Sequence, residues 1–381
     1  MIRQIVPRLL VALVVFMALM GGACGRSMQP RVARAAQLDS AISDSAFAAL
    51  SALLSEEGGY FDTDNLISNE SAYLQVISAL RDGNVGGGAY VGVGPGQNFS
   101  YIAQVRPRIA FIVDIRRDNL LQHLMYKALF EASPDRLSFL GLLLGRDISQ
   151  EQIDAAQDGS IEELISVVDA APRTESSVST SVQTVIEGVI GSGIPLSADD
   201  LATIERFHRE FIGAGFALRF HSYGRAPQSY YPTFRRLLLE VDLEGQRRNY
   251  LASEDAYGFL RGLEERNLVV PVVGNLAGPN AIRAIGNWLT ETNLEVSAFY
   301  TSNVEFYLWQ EGSFGAFVGN LSQLPRGRSS VIIRSYFGGG FRRRPGMVAG
   351  YANAQMVQSM DDFLEEWEDG RYLTYLDLVR Q

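Results

Sequence analysis

The stretch from Ala89 to Ile115 constrains the fold of this chain more than any other. Ala89-Tyr90-Val91-Gly92-Val93 is a short apolar run, and Gly94-Pro95-Gly96 interrupts it. Asn98 to Val105 reads as a helix ended by Pro107, and Ile109 to Ile115 is a second, β-branched run with Asp114 near its end. Two buried strands separated by a helix are expected to lie parallel, since antiparallel neighbours need only a tight turn. Asn119 to Ala132 is helical again, so the order is strand–loop–helix–strand–helix. This predicts an α/β fold, a mostly parallel sheet with helices on both faces.

The rest of the chain interrupts that rhythm and then resumes it. A helix is expected over Ala41–Leu54, and another from Ser68, with Ser68 and Asn69 as N-cap residues and Glu70 in its first turn. Residues 133–215 read as a mainly helical insertion, in which Ser197-Ala198-Asp199-Asp200 has capping-box spacing. Strands are expected at Ala217–Phe220, Leu268–Val273, Val296–Tyr300 and Val331–Tyr336. Helices are expected at Ala256–Glu265, Ala281–Thr290 and Met360–Trp367. Residues 41–381 are therefore read as one α/β domain carrying the insertion.

The N-terminus reads as an address rather than as part of the fold. Arg3 and Arg8 precede an unbroken apolar run of 12 residues, Leu9 to Met20, followed by Gly21-Gly22-Ala23 and by Cys24, the one cysteine. The run is short for a membrane span, which needs about 20 residues, and suits a secretory signal over 1–24 with a polar tether over 25–40. Its small residues before Cys24 resemble a bacterial lipoprotein signal, although Gly21 stands where such signals usually have leucine. The expected location is the periplasm or cell envelope, with membrane contact only through this segment or through a lipid on Cys24. A single cysteine excludes an internal disulfide. A formal charge of -10 and the lack of a long basic tract argue against nucleic acid as the main partner.

The glycine loop suggests a small-molecule site. Glycines let a strand turn sharply into a helix and let a ligand approach the backbone, while the helix N-terminus offers free N–H groups. Asp114, at the end of the next strand, stands where an acid accepts ribose hydroxyls in dinucleotide-type folds. The fingerprint G-x-G-x-x-G fails at Gln97 or Phe99, and there is no G-x-x-x-x-G-K-[ST]. What is present, Gly92-Val93-Gly94-Pro95-Gly96 followed by Val113-Asp114, resembles the Rossmann-like core of class I S-adenosylmethionine-dependent methyltransferases. Two positions depart from that pattern: Gly92 replaces an acidic residue that commonly helps hold the methionine amino group, and Asn98 replaces a third loop glycine. The wider chain also resembles an uncharacterised bacterial protein family, through Gly94-Pro95-Gly96-Gln97-Asn98, Val113-Asp114-Ile115-Arg116, Asn249-Tyr250-Leu251-Ala252, Pro271-Val272-Val273-Gly274-Asn275 with Ala277-Gly278-Pro279, and Ser302-Asn303-Val304-Glu305. The resemblance implies S-adenosylmethionine or a related nucleoside as ligand, held by Gly92, Gly94, Gly96, Asn98, Asp114 and Asn275.

Catalytic candidates are fewer. Asp114, Asn275 and Asn303-Val304-Glu305 all fall at expected strand ends, where open α/β sheets bind ligands. His221, beside Ser222 and Tyr223, is the best general base of the three histidines, and Glu305 is the strand-end carboxylate. His208 lies on an apolar helix face and reads as packed. The tyrosine- and proline-rich loop from Tyr223 to Pro232 could close over a flat ligand or pack into the core. No metal-ligand spacing and no G-x-S-x-G elbow occur. Three functions stay open: a methyltransferase-like protein; an exported binding or envelope-associated protein on a degenerate scaffold of that kind, without catalysis; and, more weakly, an envelope hydrolase using Asp114 and Glu305.

Overall fold

The computed structural model describes residues 41–224, 226, 228–338 and 347–379. The expected signal segment, Cys24 and the expected tether lie outside the described residues, and no described helix is long and apolar enough to cross a membrane.

Six strands form one sheet: β1 (Ala89–Val93), β2 (Ile109–Asp114), β3 (Val269–Val273), β4 (Val296–Ser302), β5 (Arg326–Phe337) and β6 (Asn353–Ser359). Their spatial order is β3-β2-β1-β4-β5-β6, all neighbours parallel except β6, which runs antiparallel to β5. This is a Rossmann-like order, reversing direction between β1 and β4. β1 and β3 are buried throughout and β2 up to Asp114, so their sequences are near-continuous apolar runs rather than alternating ones. Pro271, which lacks a donor, is tolerated because β3 is an edge strand. Helix α1 (Asp44–Leu54) covers that edge, its Ser51 hydroxyl donating to the Pro271 carbonyl at 2.6 Å.

After α1 come a 3-10 turn (Tyr73–Val76), α2 (Ile77–Asp82), α3 (Asn98–Val105) and α4 (Arg117–Ala132). Helix α4 buries every residue from Asn119 to Phe130. The sheet lies on one side of it and a second helical layer on the other, with α8 (Glu175–Gly191) and α9 (Ala198–Ala214) packed against it. Between α4 and α8 lie α5 (Arg136–Leu143), α6 (Gln150–Ala156) and α7 (Ile161–Ala170), the last two opened by serine capping boxes. Helices α10 (Phe234–Leu238) and α11 (Glu254–Glu264) lead into β3. Helices α12 (Ala281–Thr292), α13 (Val304–Gln310), α14 (Phe314–Leu321) and α15 (Met360–Glu368) follow in order.

Two expected elements differ. Ala217–Phe220 is not a strand: Gly215–Ala217 is a 3-10 turn and Arg219 makes one isolated bridge to Thr233, so the segment pairs locally and does not join the sheet. The helix expected from Ser68 begins only at Tyr73, and the Ser68 hydroxyl caps a local turn by accepting from the Glu70 N–H at 3.0 Å. Residues 55–72 instead form an extended strap across the strand ends. Glu56 N donates to the Val273 carbonyl at the end of β3, Gly59 N to Ile115 after β2, and Ala72 N to Asn353 Oδ1 at the start of β6.

Candidate functional site

The reversal of strand order opens a crevice at the C-terminal ends of β1 and β4, the place where open α/β sheets bind ligands. A cavity of ≈ 190 Å³ lies there. Gly94 and Pro95 form one side, Asp114 and Arg116 the next, and Asn275 and Ser302 the far ends, while the strap and the rings of Phe220 and Tyr231 form the roof.

The glycine loop is shaped from behind. Gly94 has φ +79°, a conformation that favours glycine. Its carbonyl accepts from His123 Nε2 at 2.9 Å, which fixes the tautomer with hydrogen on Nε2. Burial drives the His123 pKa down to about 4, against the opposing pull of that carbonyl, so the ring stays neutral under the loop. Asn98 is fully buried and does not line the cavity. Its amide donates to the carbonyls of Val93 (2.9 Å) and Pro95 (2.8 Å), and its Oδ1 accepts from the Tyr90 hydroxyl at 2.8 Å. The absence of an acid at Gly92 has the same cause: a Cβ there would lie 2.0 Å from Asn98 Oδ1 and 2.6 Å from the Tyr90 ring. Gly96 is packed by Tyr126 and Phe99 and does not line the cavity. Of the loop residues expected to touch a ligand, Gly94 lines the cavity beside Pro95, and Gly92, Gly96 and Asn98 shape the turn.

Asp114 reaches the cavity, but not as a bare carboxylate. Arg116 Nε donates to its Oδ1 at 2.9 Å and Nη2 to its Oδ2 at 2.7 Å, while the Arg116 backbone N–H adds a third bond to Oδ1 at 2.9 Å. Arg116 Nη1 ties this pair to the strap through the Thr63 carbonyl at 2.6 Å. Oδ2 keeps one acceptor position beside its single bond. Strand alternation places residues i and i+2 on one side, so the pairing was a signal available in Asp114-Ile115-Arg116. Asn275 lines the cavity and closes its own turn, accepting from Ala277 N at 2.9 Å. Its backbone N–H, with those of Asn280 and Ala281 at the start of α12, donates to the Glu56 carboxylate of the strap.

The two catalytic candidates do not converge on the cavity. Glu305 is 1 % exposed and forms a two-pronged ion pair with Arg334 at 2.7 and 3.2 Å. Helix α13 turns it back against β5, so it does not face Asp114 across the cleft. His221 is exposed, its ring edge-on to Tyr223, and its carbonyl accepts from the Thr63 hydroxyl. Its neighbours Phe220 and Ser222 line the cavity and it does not. His208 is packed and donates to the Leu142 carbonyl at 3.0 Å. Among the described residues no group of three His, Cys, Asp or Glu side chains could hold a metal.

One acid carries no site signal in the sequence, where it reads only as a first-turn helix residue. Glu70, from the strap, is 1 % exposed and accepts from the Tyr300 hydroxyl (2.7 Å), the Gln97 amide (3.0 Å), the Ser302 hydroxyl and the Gln355 amide. Tyr300 and Ser302 end β4 and line the cavity. Burial, with Glu70 beside it, pushes the Tyr300 hydroxyl well above the usual tyrosine range, so it remains a donor.

Fold and site together define a Rossmann-like α/β protein with a roofed cleft at the point where strand order reverses. Within that class, residues 65–188 and 209–380 match the family model described as "Domain of unknown function (DUF7790)", and the chain belongs to that family. The matched spans hold the glycine loop, Asp114, Glu70, Asn275 and Ser302. No curated protein matches the chain.

Proposed function

We propose that this chain is an exported binding protein on a methyltransferase-like scaffold, which takes S-adenosylmethionine or a related nucleoside in the cleft without catalysing a reaction. The observation that carries the ligand reading is that Gly94 and Asp114, supplied by separate strands, open on one cavity at the strand-order reversal. Gly94 gives close backbone approach, and the remaining acceptor position on Asp114 Oδ2 suits a ribose hydroxyl. The rings of Phe220 and Tyr231 suit the flat face of a base. S-adenosylmethionine, when bound, supplies an electrophilic methyl group. Binding without catalysis is favoured over methyl transfer by a separate observation. Glu305 is neutralised by Arg334, His221 stands outside the cavity, and Asp114 is held by Arg116. The apolar run Leu9–Met20 supports export.

The test is calorimetric titration of the full-length protein with S-adenosylmethionine and S-adenosylhomocysteine, using Asp114→Asn as the control. Asparagine keeps the shape and spares Arg116 some of the disruption that truncation to alanine would bring. Micromolar binding weakened in the variant supports the ligand reading, and no binding to folded protein refutes it. Conversion of S-adenosylmethionine to S-adenosylhomocysteine on incubation with envelope extract would overturn the non-catalytic half.

A further inference from the structure

Glu70 is a buried carboxylate that meets no counter-charge among the described residues. It is 1 % exposed, it takes part in no ion pair among the described residues, and the four groups that reach it are neutral. Three of them, Gln97 Nε2, Tyr300 Oη and Gln355 Nε2, converge on Oε2, while the Ser302 hydroxyl alone meets Oε1. All four act as donors, the arrangement that suits an anion. Removing a carboxylate from water without a counter-charge is destabilising, and neutral hydrogen bonds offset only part of that loss. Such a group persists where something other than stability retains it.

The surroundings indicate what is missing. The Oε1 atoms of Gln97 and Gln355 are buried and accept no hydrogen bond. The neighbourhood therefore has an excess of acceptors: one carboxylate and two amide oxygens. It adjoins the cleft through Tyr300 and Ser302, which touch Glu70 and also line the cavity. Ser302 is held at φ +52°, a conformation rare for a residue with a side chain, which aims its hydroxyl at Glu70. At the β2 end of the same cleft Asp114 and Arg116 cancel each other. The cleft is thus balanced at one end and negative at the other.

We infer that Glu70 is the acceptor for a positively charged amine on the ligand, which reaches it past the Ser302 hydroxyl at the end of β4. An ammonium group brings three N–H donors and one positive charge, meeting both the surplus of acceptors and the missing counter-charge. A neutral donor meets the first and not the second, and an anionic group without a donor meets neither. Glu70 then serves as the carboxylate that Gly92 cannot supply, delivered from the strap instead of from β1. The inference deepens the ligand reading above and rests on its placing of the ligand in the cleft.

The test uses two adenine nucleosides and the full-length protein. S-adenosyl-3-thiopropylamine carries an amine and no carboxylate, and 5′-methylthioadenosine lacks both. The wild type is expected to bind the amine about tenfold or more tightly than the neutral nucleoside. Glu70→Gln is expected to erase that difference by weakening the amine alone, and its melting temperature without ligand to equal or exceed that of the wild type. Ser302→Ala, which removes the hydroxyl over Oε1, is expected to keep or increase the preference and provides an answer if Glu70→Gln does not fold. Equal affinity of the wild type for both nucleosides, an unchanged preference in Glu70→Gln, or loss of the preference in Ser302→Ala would overturn the assignment. If neither nucleoside binds, the nucleoside reading fails by itself. The amine site is then judged by thermal shift with n-butylammonium against n-butanol: stabilisation by the cation alone, absent in Glu70→Gln, supports it, and no difference refutes it.

Discussion

Replacing Asn98 by alanine should damage the glycine loop more than any change to its glycines' exposed surroundings. Four bonds disappear at once, from the Tyr90 hydroxyl at 2.8 Å and to the carbonyls of Val93 at 2.9 Å, Pro95 at 2.8 Å and Gly94 at 3.4 Å, the last of which keeps its His123 partner. Pro95 O keeps its bond from the residue 98 backbone N–H at 3.2 Å, so its loss is modest. Tyr90 Oη loses its side-chain partner in a fully buried position, and Val93 is 5 % exposed. Stranding a buried polar group costs about 1–3 kcal/mol, so two of them and a weakened third sum to roughly 3–5 kcal/mol. That is a large part of the roughly 5–15 kcal/mol that holds a domain folded. Urea unfolding followed by tryptophan fluorescence and circular dichroism measures it. Asn98→Asp sharpens the test, since it keeps the Tyr90 bond but turns an oxygen toward two carbonyls. It should be less stable than Asn98→Ala at neutral pH and recover as the new acid protonates. A loss below about 1 kcal/mol for alanine, or an aspartate variant as stable as the wild type, would refute the role assigned to Asn98 as the brace of the loop.

Glu305→Ala should destabilise the fold by about 3–5 kcal/mol, as expected when one partner of a buried ion pair is removed, and leave ligand affinity of the folded protein unchanged; equilibrium unfolding and calorimetry separate the two. Burial lowers both His123 and His208 to about 4, from about 6.5 in an unfolded chain. The unfolded state therefore takes up protons first, so stability should fall as pH drops from 6.5 towards 4 and level off below it. A pH series of unfolding midpoints in His208→Asn should show a shallower decline. Gly278→Ala would set a Cβ 2.0 Å from Glu56 Oε1 and expel that carboxylate from the start of α12. It should cost about 1–2 kcal/mol, and a double variant with Glu56→Ala should be less destabilised than the sum of the two single changes.

The strand–loop–helix–strand unit was legible because each of its signals is local. Apolar runs mark β1 and β2, Gly94-Pro95-Gly96 marks the turn, and Asn98–Val105 has the bounds read from sequence. β6 gave no such signal: Asn353-Ala354-Gln355-Met356-Val357-Gln358 is half polar, and it is a strand because β5 offers it an antiparallel edge. The opposite error at Ala217–Phe220 has the same origin, an apolar stretch that pairs only locally. Asp114 and Asn275 could be placed at strand ends, but not the company they keep, since Thr63 and Glu56 arrive from the strap more than 50 and 200 residues away in sequence. The Arg334 partner of Glu305 was not legible, because a strand-end acid reads alike whether it faces solvent or an arginine 29 residues later. Glu70 was least legible of all: a single acid in a helix-like context, its partners 27 to 285 residues distant.

The strap also fixes an order of events during folding. It precedes the sheet in the chain, yet its last anchors are Gln355 and Asn353, 285 and 281 residues downstream of Glu70 and Ala72. At about 5–20 residues per second, a ribosome needs roughly 15–60 s to make that intervening length. The strap is therefore among the first parts synthesised, and its Glu70–Ala72 end is among the last to be seated. A nascent chain without β6 can assemble the glycine loop, the central strands and the strap's anchors on β2 and β3 before the Glu70 end of the strap meets Gln355 and Asn353, so that end of the cleft is completed last.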